Sequence, residues 1–187
     1  FKSDRRKKLI FGLGAGVGNG KLRGKGYGTK IKMDYKPIDP LNISIEAIQD
    51  LSPSYMQYVD IIDVDNSINR IYAKSEQLTK QVEFRMDWTF SPELTLQGYL
   101  QPFYADMKYL RFYELMFPET MDLIPFDYLS LHENPDFKWE NTVGTFVLRW
   151  EYNPGSTLFL VYSLNEYKYY SASDDLWSSG SSNTVVV

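Results

Sequence analysis

Glu83, Arg85 and Asp87 recur at every second position, and Arg149 and Glu151 repeat that spacing later in the chain. Two carboxylates held at a fixed separation can cleave a glycosidic bond, one as acid and the other as base or nucleophile. The same spacing also describes charges that share one face of a strand and satisfy one another across the sheet, and this reading is favoured. The set Gln81, Glu83, Arg85, Asp87, Arg149 and Glu151 is therefore expected to be a polar, lumen-facing network with no catalytic role.

Other chemistry-bearing residues are weighed the same way. His132, the one histidine, stands beside Glu133 and Asp136 in LHENPDF. Such a trio suits a metal or an acid-base pair, but one imidazole without a defined partner is no signature, and a solvated loop histidine is expected. Asp60, Asp63, Asp65 and Asn66 in DIIDVDNS offer the oxygens calcium takes. They lack the glycine and distal glutamate of an EF-hand, so an acidic loop tip is expected. The run GLGAGVGNG, Gly12 to Gly20, opens like a dinucleotide fingerprint, yet Val17 stands where the third glycine belongs and no helix-like segment follows. No cofactor and no metal is expected. Tyr104, Tyr109, Phe112, Tyr113, Phe117, Phe126 and Tyr128 would make a sugar-stacking platform or an ordinary plug or loop core, the second being preferred.

The elements that must position these residues are strands. Gln77, Thr79, Gln81, Glu83, Arg85, Asp87 and Thr89 alternate with Leu78, Lys80, Val82, Phe84, Met86, Trp88 and Phe90, and only a strand sends such neighbours to opposite faces. The pattern recurs in Tyr27 to Tyr35, in Leu41 to Ala47, in Gly144 to Tyr152 and in Leu158 to Leu164. In the glycine run, Leu9, Phe11, Leu13 and Ala15 alternate with Gly12, Gly14 and Gly16, again as a strand.

Connections alternate in length. A polar stretch at Asn19 to Gly26, a long insert from about Ser52 to Asn69, a loop of about thirty residues from Tyr109 to Glu140 and a last polar loop from Tyr167 to Ser182 are read as loops. Between them fall tight turns at Lys36 to Pro40, Ser91 to Glu93 and Asn153 to Ser156. Short turns at one end and long connections at the other are the rhythm of an outer-membrane barrel of about eight strands. An alternative for Tyr55 to Ala73 makes it the outer ends of two long strands, with a tip at Asp63 to Asn69.

Composition bounds the reading. No apolar run approaches the length of a membrane helix, which leaves a barrel untested because strand hydropathy averages over two faces. The net charge of −4 argues against nucleic acid, and the basic cluster Lys2 to Lys8 is read as a solvated or interfacial end. The absence of cysteine removes disulfides and thiolate chemistry.

Three stretches carry a resemblance: QYV at Gln57 to Val59, EFRMDWTFSPELTLQGYLQPF at Glu83 to Phe103, and FVLRWEYNPGSTLFLVYS at Phe146 to Ser163. They resemble the C-terminal domain of a bacterial family in which a module similar to family-nine carbohydrate-binding domains precedes an outer-membrane barrel domain of unknown function. The family pattern runs LRxxYTF, TPxLSLQ, YxQPF and later LRWEYxPGSTLFLV. It is met at Arg85, Phe90, Pro92, Leu94, Leu96, Gln97, Tyr99, Gln101, Pro102 and Phe103, and again from Leu148 to Leu160, with Asn153 the main departure. The resemblance covers about Gln57 to Val187, while the first fifty residues agree only in general character.

The expected fold is an all-β, antiparallel up-and-down transmembrane barrel, with residues 1–187 a single domain that forms the C-terminal fragment of a longer protein. Phe84, Met86, Trp88, Phe146, Leu148, Trp150, Leu158 and Leu160 are expected to face lipid. The expected function is a bacterial outer-membrane anchor or passage for a sugar-related envelope system, not an enzyme, with lipid, envelope proteins or glycans as partners. The alternatives are a soluble antiparallel barrel or sandwich that binds a small ligand and, behind it, a hydrolase.

Overall fold

The computed structural model describes residues 1–20, 24–64, 67–117, 119–120 and 122–187. Nine strands form one antiparallel sheet: β1 (Leu9–Gly20), β2 (Gly24–Ile38), β3 (Leu41–Val64), β4 (Ser67–Ser91), β5 (Leu94–Phe117), β6 (Asp122–Phe126), β7 (Phe137–Asn153), β8 (Ser156–Ser171) and β9 (Leu176–Val186). The order is β1-β2-β3-β4-β5-β7-β8-β9, with the short β6 paired to the far end of β5. No α-helix occurs among the described residues, and a single 3-10 turn spans Tyr128–Ser130. Eight consecutive neighbours make an up-and-down meander, as the periodicity predicts. The sheet is open: β1 and β9 are its edges, so these strands do not close the expected barrel among themselves. Residues 1–3 run back along β1, where the Ser3 amide donates to the Phe11 carbonyl at 2.8 Å and the Leu13 amide to that of Phe1 at 2.8 Å.

The tight turns all lie at one end of the sheet, as expected. Asp39 and Pro40 join β2 to β3, Pro92 and Glu93 join β4 to β5, and Pro154 and Gly155 join β7 to β8. Gly155 takes a φ of +80°, which a side chain at that position would resist. The Ser91 hydroxyl accepts the amides of Glu93 and Leu94 at 3.2 and 3.1 Å and so fastens the second turn.

At the other end the expected long loops are mostly strand. Residues 52–64 and 67–69 are strand: β3 and β4 pair, with two bulges, up to Val64 and Ser67, so the alternative of two long strands holds, although Asp63, Val64 and Ser67 to Asn69 of its expected tip are paired strand. The region Tyr109 to Glu140 contributes the last nine residues of β5, then β6, the 3-10 turn and the start of β7. Tyr167 to Ser182 is the β8–β9 hairpin, whose tip is Ala172 to Asp175, and the last strand begins at Leu176. Loop-like residue types such as Ser, Asn and Asp remain paired here because nothing in them breaks a ladder, which needs only extended backbone and a partner.

Register decides which residues share a face, since directly opposed residues in an antiparallel pair point the same way. One face is apolar across the sheet. Leu13, Ile31, Ala47 and Val82 stand in one row, and Phe11, Met33, Ile45 and Phe84 in the next, which continues through Leu100. Leu96, Leu148 and Leu160 extend the same face to β8. Every residue expected to face lipid lies on it. At the turn end this face carries the stacked pair Trp88 and Phe90, 4.2 Å between centroids, and the pair Trp150 and Tyr152 at 6.0 Å. Toward the far end a polar row, Gln49, Lys80, Tyr104, Glu140 and Lys168, crosses it, and Val17, Tyr27, Leu51 and Leu78 lie beyond that row on β1 to β4. Lys80, the exception in the alternation, belongs to that row, with its ammonium 5.9 Å from the Tyr104 ring centre.

The buried core is small and off-centre. Ile62, Ile71, Ala73, Phe112 and Tyr128 cluster at the outer end of β3, β4 and β5, backed by Val59, Tyr109 and Phe126. β3 takes one residue more than β4 at each of two bulges, Ser54/Gln57 and Tyr58/Asp60, while β4 itself runs on without an inserted residue. Ile71, Ala73 and Ser75 therefore keep the alternation of Glu83 and Arg85, which puts the core on the polar side of the sheet.

Candidate functional site

The polar face gathers most of the predicted network but pairs it differently from expectation. Glu83 accepts from Arg85 Nε at 2.6 Å, and Glu151 accepts from Arg149 Nη2 at 3.0 Å. Both pairs run along a single strand, two residues apart, instead of across strands. β5 lies between β4 and β7, so the two halves are neighbours of β5 and not of each other. Gln81 shares the face, opposite Ile48 and Phe103. Asp87 accepts from the Gln97 side chain at 3.3 Å, and the Arg85 guanidinium lies 4.8 Å from the Tyr99 ring centre. Arg85, Asp87, Gln97, Tyr99, Thr145 and Val147 line an open cavity of about 270 Å³.

Cross-strand pairing occurs one strand further on. Lys30 donates to Glu46 at 2.5 Å, Lys32 lies 3.9 Å from the same carboxylate and 3.7 Å from Asp34, and Ser44 donates to Asp34 at 2.8 Å. Glu46 and Glu83 face one another in register, two carboxylates that Lys30, Lys32 and Arg85 hold between them. Lys30, Lys32 and Asp34 were visible as a polar face in the sequence. Their membership of this network was not, because strand pairing sets it.

The geometry bears on the carboxylate-pair chemistry. Glu83 and Asp87 are four residues apart on one strand, ~13 Å, and Asp87 and Glu151 are separated by two strand spacings and about four residues, ~17 Å. Glycoside hydrolysis uses separations of roughly 5 to 9.5 Å. Glu151 also accepts the Gly155 amide at 3.1 Å, which ties it to the β7–β8 turn.

At the outer end the long-loop residues form a stack. Phe112 and Tyr128 lie 4.7 Å apart, and His132 lies on the other side of Tyr128 at 4.8 Å. His132 is thus half-buried against an aromatic ring rather than a freely solvated loop residue. Asp136 is engaged elsewhere, accepting the Tyr109 amide at 2.7 Å and so joining β5 to the start of β7. Burial, and after it the Asp136 carboxylate, raises the Tyr109 phenol above its ordinary 10.0; burial, then Asp60, does the same to Tyr128. Among the aromatic residues of that region, Tyr109, Phe112, Phe126 and Tyr128 pack into a small core, as preferred from the sequence, but all except Tyr128 do so from strands and not from a loop. Tyr104 sits in the sheet and donates to Asp106 at 3.3 Å, and Phe117 is exposed.

Asp60 and Asp63 lie on β3, and the Asp60 carboxylate accepts its neighbour's amide, that of Ile61, at 2.7 Å. Asp65 and Asn66 fall outside the described residues, as do residues 21–23 of the first polar stretch and residues 118 and 121 of the long one. Among the described residues, no three His, Asp or Glu side chains converge as metal ligands would. The glycine run is β1, a strand with no helix after it, as the alternation predicts.

These features define a class: an all-β protein built on one antiparallel meander with an apolar and a polar face. Within that class the chain belongs to the family described as a domain of unknown function (DUF5916), whose model matches residues 1–185. The match includes the first fifty residues, which resembled the family only in general character. No curated protein and no solved structure matches the chain.

Proposed function

We propose that this chain forms part of the wall of a bacterial outer-membrane β-barrel, which anchors, or provides passage for, a sugar-related envelope system. The observation that carries the reading is the uncovered apolar face running from β1 to β8. Phe11, Ile31, Val82, Trp150 and Leu160 on it are all 40% exposed or more. An exposed apolar patch on a monomer in water rarely exceeds a few hundred Å².

The dimensions agree with a bilayer. From Val82 to Phe90 is eight steps of about 3.4 Å, ~27 Å along the strand and ~21 Å along the membrane normal at ~40° tilt, close to the roughly 25 Å band of such barrels. Trp88, Phe90, Trp150 and Tyr152 match an interfacial aromatic girdle, and the polar row at the far end matches the opposite interface. The polar face with Glu83, Arg85, Asp87, Arg149 and Glu151 then lines the lumen. The outer ends of β3, β4 and β5 project beyond the membrane, and their small core narrows the mouth on the lumen side.

Hydrocarbon tolerates no unpaired strand edge. The edges of β1 and β9 therefore need partners, either strands outside these 187 residues or a second copy of the sheet. The sugar connection rests on the resemblance, which puts a carbohydrate-binding-like module before such a barrel.

The test is fractionation of the full-length product, followed by gel migration of the membrane fraction with and without boiling. Recovery in the outer membrane with heat-dependent migration is expected. A water-soluble product with no shift overturns the reading in favour of a soluble sheet whose apolar face is covered by protein.

A further inference from the structure

The polar face divides into two sectors of different chemistry. On β2, β3 and β4 it carries Lys30, Lys32, Asp34, Glu46, Asp50, Glu83, Arg85 and Asp87. On β7, from Phe137 to Val147, the same face holds Phe137, Trp139, Asn141, Val143, Thr145 and Val147, none of them charged. Their partners on β8 and β9 are Tyr169, Tyr167, Asn165 and Ser163, then Ser178, Gly180, Ser182 and Thr184, also uncharged. Register places the sector's aromatic rings at its outer end and its amides and hydroxyls toward the middle.

The rings there are arranged as a platform. A Cβ at Gly180 would meet the Tyr167 ring at 2.6 to 2.8 Å, so the absence of a side chain lets that ring lie flat along β9 with one face against the backbone. Trp139 stacks beside it within 8° of parallel, at 5.4 Å between centroids, and Tyr169, tilted 58° to Trp139, borders the pair at 6.2 Å. Tyr167 is 41% exposed although its inner face is covered. Asn141 stands in register with Tyr167 and Gly180, and its Oδ1 is buried without a hydrogen-bond partner. A buried acceptor without a partner is costly, and a donor hydroxyl reaching it would be rewarded.

Partly exposed rings attract an apolar ligand surface; neighbouring amides and hydroxyls attract a ligand rich in hydroxyls; the absence of charge gives no reward to an anion or cation. A pyranose chain combines an apolar C–H face with a hydroxyl rim and is neutral. We propose that the Trp139, Tyr167 and Tyr169 platform, with Asn141 and the Asn165–Ser182 pair inward of it, binds a neutral oligosaccharide on the lumen-facing side of the sheet. The site deepens the barrel reading and rests on it only for its position in the lumen, because the polar face meets water whether or not the barrel closes.

The experiment uses the full-length protein and three probes, maltohexaose, cellohexaose and the anionic hexamer of galacturonic acid, with titration calorimetry as the readout. Saturable binding of at least one neutral hexamer is expected, with the anionic hexamer weaker. Trp139→Ala should weaken it at least tenfold. Gly180→Ala, which removes no ring but drives Tyr167 off the strand, should weaken it severalfold, and Tyr167→Phe should retain it. Gel migration with and without boiling is recorded on every variant. Binding to neither neutral hexamer, or neutral binding unchanged in both Trp139→Ala and Gly180→Ala when heat-dependent migration is intact, overturns the site and leaves the barrel standing. Platform-dependent binding by a protein without that migration upholds the site and sinks the barrel.

Discussion

Placing a charge at different heights on β7 gives a depth profile that a membrane wall and a soluble core answer differently. Gly144, Phe146, Leu148, Trp150 and Tyr152 occupy the apolar face of this strand, so Leu148 is the middle position, with about 14 Å of strand on either side and ~10 Å to each edge at ~40° tilt. An arginine at the bilayer midplane of a barrel costs ~2 to 4 kcal/mol and ~0 to 1 near the interface. Leu148→Arg should therefore lose ~2 to 4 kcal/mol, Phe146→Arg slightly less, and Tyr152→Arg no more than ~1. Thr145 opposes Tyr99 and Ser163 on the polar face, and an arginine there meets water and should cost little. The assay is reversible urea unfolding of the full-length protein in lipid vesicles, followed by tryptophan emission. A Leu148→Arg loss below ~1 kcal/mol, or equal losses at Leu148 and Tyr152, would refute the reasoning, because burial in a protein core has no reason to fade toward the turn.

Three further outcomes follow from the polar face and its outer end. Phe112 is buried between Ala73 and Tyr128, so Phe112→Ala should cost ~3 to 5 kcal/mol locally; limited proteolysis should then cut the outer projection while heat-dependent migration persists, and joint loss of both would show that the projection is not a separate unit. Glu83→Gln should leave the urea midpoint unchanged, since the Glu83–Arg85 pair is a half-exposed contact along one strand, and a large drop would mean that the charge network holds the wall together. Tyr109 and Tyr128 have phenols raised above 10.0, so the folded state keeps their protons longer than the unfolded chain. Their contribution is fully present below pH 10.0 and is lost as pH climbs through the raised values, so protease resistance of the outer projection should fall only in strong alkali. Tyrosinate absorbance that titrates wholly at the ordinary value would contradict this.

Legibility in the sequence followed the range of the forces involved. Period-two alternation from Gln77 to Phe90 assigned faces correctly because a strand points successive side chains to opposite sides whatever its partners are. Proline and glycine marked the three tight turns because turn dihedrals are local. Loop lengths were misread where Ser, Asn and Asp stand in paired strand. Those residues are weak strand formers, and the long β3–β4 ladder overrides the preference. Lys80 looked like a flaw in the alternation and is a member of a polar row spread over five strands, visible only in register.

The sequence by itself determined the all-β class, the two faces, the direction of alternation and the end at which the tight turns lie, since each depends on residues within a few positions of one another. Tertiary structure alone decided which charges meet. Glu46 faces Glu83 from a strand thirty-seven residues away, whereas Glu83 and Glu151 never approach. It also decided that Tyr167 lies on Gly180, and that the polar face carries its charges on β2 to β4 and at the turn end of β7 and its aromatic rings at the outer end of β7 and β8. Those facts depend on strand order and register, which are set by the summed pairing of whole strands.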